Sequence, residues 1–73
     1  MPSPELLKQL QEAERYVAEG EDNLRRQRQL IAEMERGGHD ASVAKDLLTL
    51  FERVQVVHVG ARDRAVKAVE EAD

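Results

Sequence analysis

Apolar residues recur at intervals of four and three along two stretches of this chain, and one glycine-containing segment separates them. In the first stretch Leu6, Leu10, Ala13, Val17, Gly20, Leu24, Gln27, Ile31 and Met34 keep the alternation without a slip. In the second, Ala44, Leu47, Phe51, Val54, His58, Ala61, Ala65, Ala68 and Ala72 do the same. A repeat averaging 3.5 residues lines its members along one face of a helix, as in a coiled-coil seam. No proline falls inside either stretch. The pattern predicts two helices, over about 4–36 and 41–71, with Ser3 and Pro4 as the start signal of the first.

The break is ERGGHDAS, residues 35–42. Gly37 and Gly38 suit a helix C-terminus, where one residue must turn left-handed. Asp40 or Ser42 can cap the next helix by accepting backbone N–H groups. His39 beside Asp40 resembles a catalytic pair on paper, but capping is the simpler use of both. A turn at 37–40 is too short for anything but an antiparallel return. The expected fold is therefore all-α: an antiparallel two-helix coiled-coil hairpin, one domain spanning residues 1–73.

Folding the chain at this turn sets Ile31 opposite Leu47, Gln27 opposite Phe51, Leu24 opposite Val54 and Gly20 opposite His58. Val17 then meets Ala61, Ala13 meets Ala65 and Leu10 meets Ala68. Most layers pair a large residue with a small one, which lets helices pack closely. The expected hairpin core is Leu10, Val17, Leu24, Ile31, Leu47, Phe51, Val54, His58 and Ala61. In the segment VQVVHVG, residues 54–60, valine favours strand, yet its helix penalty stays below about 1 kcal/mol per residue and packing overrides it.

More apolar surface is present than one seam can bury. One flank carries Val43, Leu50 and Val57, with Tyr16 and Leu30 beside it on the first helix. The other carries Leu48, Val59, Val66 and Val69, with Leu7 across from Val69. Contiguous exposed apolar patches are uncommon on monomers. A second hairpin covering Tyr16, Leu30, Val43, Leu50 and Val57 would make a homodimeric four-helix bundle. The alternative occupant of that face is a helix of a larger, unidentified protein.

Composition narrows the function. The chain lacks cysteine, which removes disulfides and thiolate metal sites. Residues 1–36 carry 6 basic and 8 acidic side chains and the remainder 5 and 7, so each part contributes −2 to the net charge of −4. Nucleic-acid binding needs concentrated positive charge, and the one basic cluster, Arg25, Arg26 and Arg28, has acids at helical spacing from it. A nucleic-acid-associated regulator using those three arginines is the weaker alternative. No run approaches the ~20 apolar residues that span a bilayer, and the opening MPSPELLKQ lacks a signal-peptide pattern, so a cytoplasmic location is expected. Arg62 is expected across from Glu14, Arg64 near Tyr16, and Asp63 paired with Lys67. His58, on the seam opposite Gly20, reads as a packed residue that sets register, with a pH-sensitive contact as its second reading. There is no phosphate loop, no nucleophile with a base at usable spacing and no metal-ligand pattern. No catalytic, cofactor or metal residue is assigned, and the expected function is a small non-enzymatic interaction module.

The chain also resembles a group of short proteobacterial helical-hairpin proteins of unknown function. The shared pattern is EGE at Glu19 to Glu21, RQR at Arg26 to Arg28, Leu30-Ile31, GHD at Gly38 to Asp40, Leu47-Leu48, Phe51-Glu52, His58, and RDR at Arg62 to Arg64. The valine-rich segment 54–59 departs from that group, which is more polar there. The resemblance implies a bacterial helical hairpin and brings no activity with it.

Overall fold

The structure, a computed structural model, describes residues 1–72 and consists of two helices, α1 (Pro4–Arg36, 33 residues) and α2 (Ser42–Glu71, 30 residues). They pack side by side as an antiparallel hairpin measuring 56 × 14 × 13 Å. The amino group of Met1 donates to the carbonyl of Ala72 at 3.2 Å, so the two ends of the hairpin meet.

Each boundary follows from local chemistry. Ser3 is extended and its Oγ accepts the amide of Leu6 at 3.2 Å, while Pro4 occupies the first helical turn, where its missing N–H costs nothing. At the other end Gly38 takes φ +74°, the left-handed conformation that side chains resist. With Gly38 so placed, the His39 amide donates to the Met34 carbonyl at 2.8 Å and the Gly38 amide to Glu35 at 3.1 Å. These are the two bonds of a Schellman closure, and they satisfy carbonyls that the last turn would otherwise leave unpaired. The N-cap of α2 is Ala41, not Asp40 or Ser42, and no side chain makes the capping bond there; Asp40, one residue earlier, holds the start of the helix through Ser42. Its Oδ1 accepts the amide of Ser42 at 2.9 Å and also the Ser42 hydroxyl.

α1 buries Ala13, Val17, Leu24 and Ile31, spaced by four or seven residues along one face. α2 buries Ala44 and Gln55, with Ala41 just ahead of it. Ile31, Ala41 and Ala44 form the tightest cluster, with Met34 and Leu48 packed against it. Leu10, Phe51, His58 and Ala61 are half-buried.

Two of the expected core residues are corrected. Leu47 is 41% exposed and Val54 43% exposed. The facing residues explain why. Gly20 meets Gln55, not His58, and Ile31 clusters with Ala44, not Leu47. α2 is thus displaced by three residues from the expected register. Three residues are about 60° short of a full turn, so the displacement also rolls the helix and carries Leu47 and Val54 off the seam. Leu48, Val59, Val66 and Val69, expected on a flank, are the half-buried ones instead. The reversal centres on the two glycines, and small residues at Ala41 and Ala44 let the helices close tightly beside it.

Candidate interaction face

Two glutamines stitch the helices together. Gln27 on α1 donates from Nε2 to the carbonyl of Ala44 at 2.9 Å, and Gln55 on α2 donates to the carbonyl of Val17 at 3.0 Å. Val17 and Gln27 lie ten residues apart, about 15 Å along the helix, so the two bonds fix both axial position and roll. Gln55 lies where Gly20 leaves room: a Cβ on Gly20 would stand 1.7 Å from its Oε1. That oxygen is buried and has no hydrogen-bond partner. Gln55 is the residue that reading the sequence missed. The signal for it was Gly20, a mid-helix glycine whose gap something on α2 had to fill.

With the helices stitched, the two edges of their seam differ in character. One edge is polar. Arg28 reaches Glu52 at 3.9 Å and Lys45 reaches Glu35 at 3.1 Å, both across the helix pair. The other edge is apolar. Val43, Leu47, Leu50, Val54 and Val57 run along α2 on this side, all of them exposed. Leu30 and Tyr16 of α1, each 45% exposed, border this run. Tyr16 stacks on His58, ring centroids 5.5 Å apart and planes 16° apart, and Glu19, Asn23 and Phe51 line the same recess. The residues expected to form one face, Tyr16, Leu30, Val43, Leu50 and Val57, are therefore on one edge and open to solvent, joined there by the displaced Leu47 and Val54.

The arginines are engaged locally. Arg25 and Arg26 both pair with Asp22, Arg26 also donates to Asn23 at 2.8 Å, and Arg28 is the bridge to Glu52. The hydrogen bond from Arg25, helped by the charge of Arg26, holds the Asp22 carboxyl below its ordinary range. The acid at Arg25 is Asp22, three residues before it, and not Glu21, four before it. The cation over Tyr16 is Arg15, 5.3 Å from the ring centroid, where Arg64 was expected. Arg62 pairs with its neighbour Asp63 at 3.2 Å, where Glu14 was expected, and Lys67 lies 3.9 Å from Glu71. A helix side chain covers the turn preceding its own Cα, which is where Arg25 and Arg26 find Asp22, whereas Arg28 reaches across the seam.

Among the described residues no group of three or more His, Asp or Glu is placed to hold a metal ion, and no helix is long and apolar enough to cross a membrane. No family model matches this chain, and no curated protein and no solved structure is significantly similar to it.

Proposed function

We propose that this protein is a small, non-enzymatic cytoplasmic interaction module that acts as a homodimer through its apolar edge. The observation that supports this reading is the exposed run on α2, Val43, Leu47, Leu50, Val54 and Val57, unbroken by any charged side chain on its own line. The hairpin's own core argues the same way. Only Val17, Leu24 and Ile31 among its buried apolar residues are larger than alanine, a thin core for a chain of this length, and small domains draw further stability from association. From Val43 to Val57 the run extends about 21 Å along α2, and Leu30 and Tyr16 of α1 widen it. The rigid charged edges left outside the dimer would then be the surfaces that other molecules meet.

Sedimentation equilibrium over a wide concentration range tests this. The expected result is a species of twice the 8.3 kDa chain mass, with a melting temperature that rises with protein concentration because association stabilises the folded state. A monomer at every concentration would remove the homodimer and leave the apolar edge to a larger partner. Regulation through nucleic acid draws no support from Arg25, Arg26 and Arg28, since each already has an acidic partner.

A further inference from the structure

Resting on the homodimer reading, we infer that two copies pair α2 against α2 in antiparallel fashion, about a two-fold axis passing at Leu50. The exposed run itself has the spacing of a second seam: Val43, Leu47, Leu50, Val54 and Val57 are separated by four, three, four and three residues. It is also centred. Val43 and Val57 each lie seven residues from Leu50, and Leu47 and Val54 lie three before it and four after it. A two-fold at Leu50 lays Val43 level with the partner's Val57 and Leu47 within one residue of the partner's Val54, a larger residue against a smaller one in the inner layers. An interface of this kind must be self-complementary, because the same patch serves both copies.

Charge selects the direction. Asp46 and Arg53 flank the run on its outer side, seven residues apart and hence in line on the helix. Neither takes part in a salt bridge or side-chain hydrogen bond among the described residues, although most of the charged side chains nearby do. Antiparallel pairing brings Asp46 opposite the partner's Arg53, twice in each dimer. Parallel pairing, about a two-fold along the helices, would put this flank of the two copies on opposite sides of the seam and leave Asp46 and Arg53 without each other. The opposite edge cannot compete for this role, since Arg28–Glu52 and Lys45–Glu35 already bridge it.

The chain has no cysteine, so single-cysteine variants report direction cleanly. Val43→Cys and Val57→Cys chains are mixed under mild oxidation, and each is also oxidised alone. The inference expects a disulfide between the two different variants and little dimer from Val43→Cys alone. In the antiparallel pair the two copies of position 43 are fourteen residues apart, about 21 Å, whereas a disulfide needs Cα atoms within about 7 Å. Asp46→Arg and Arg53→Asp should each weaken association on the order of tenfold or more, and the doubly exchanged chain should recover it, as should a mixture of the two single variants. Cross-linking of Val43→Cys to itself in preference, or a double exchange that recovers nothing, would overturn the antiparallel pairing while the homodimer stood. A chain that sediments as a monomer throughout would remove both.

Discussion

Gly20 and Gln55 show how one missing side chain sets a register. Glycine in a helix interior costs about 1 kcal/mol relative to alanine, and here the opening it leaves is filled by the Gln55 amide. Gly20→Ala in the native chain must push that amide away from the Val17 carbonyl, losing a buried hydrogen bond of about 1 kcal/mol against the propensity it gains. In a Gln55→Ala background nothing stands in the way, and the same substitution should stabilise by about 1 kcal/mol. Urea unfolding of the four chains of this double-mutant cycle should therefore give a coupling of about 1–2 kcal/mol. Equal effects in both backgrounds would mean that Gly20 and Gln55 do not touch. The contact was hidden in the sequence because glutamine at position 55 looks like any solvated helix residue; only its partner across the seam makes it an interior one.

At the scale of the elements, the turn is where the chain is most tightly specified. Gly38 holds φ +74° while Gly37 holds φ −81°, which any residue adopts. Gly38→Ala should cost about 1–2 kcal/mol, the penalty for a left-handed alanine. Gly37→Ala should stay within about 0.5 kcal/mol, because the atom its Cβ would meet, at 2.9 Å, belongs to the exposed and movable His39 ring. Thermal melts of the pair distinguish the two glycines, and equal losses would contradict the Schellman closure. The far side of the turn responds to pH. Hydrogen bonds from the Ser42 hydroxyl and amide, with a smaller contribution from the Lys45 charge, hold the Asp40 carboxyl below its ordinary range. A carboxyl with a depressed folded-state pKa adds stability that is fully present above its unfolded value of about 4 and is lost as pH falls through the folded value. Melting temperatures should accordingly drop below about pH 4, and Asp40→Asn should show a smaller drop than the native chain over the same range. An identical acid response in both would show that Ser42 does not favour the charged form. The two helices and the glycine turn were legible because period, proline placement and caps are local properties. The partners of Arg25, Arg62 and Arg64 were not, because several acids lie within reach and side-chain direction decides among them.

The whole molecule is a rod with one apolar edge and one charged edge, and adjacent valines fall on opposite sides of it. Val56 is 72% exposed on the edge bridged by Arg28 and Glu52, and Val57 is 65% exposed on the apolar edge. Neither is a core residue, so lysine at either position should leave the helical signal intact. Val57→Lys should abolish self-association in sedimentation runs, and Val56→Lys should leave it unchanged. Loss of association in both variants, or in neither, would show that the apolar edge is not the contact surface. The excess of valine in VQVVHVG is thus divided. Val59 turns toward the seam, Val54 and Val57 line the open face, and Val56 stands alone beside charged neighbours.

The hairpin is written into local sequence: two uninterrupted helical periods, a start signal at Ser3 and Pro4, and a left-handed glycine where the chain must reverse. Each of these is set by backbone geometry within a few residues. Which of two apolar lines on α2 would face α1 was left to the tertiary structure. Both Leu47–Val54 and Leu48–Gln55 keep helical spacing, and periodicity alone ranks the more hydrophobic one first. Packing chose the other. Alanines at 41 and 44 allow close approach beside the turn, and Gly20 accepts the Gln55 amide, so the axial fit of the two helices outweighed the hydrophobicity of the buried line. The more apolar line was left facing outward, and the surface available for a second copy follows from that choice.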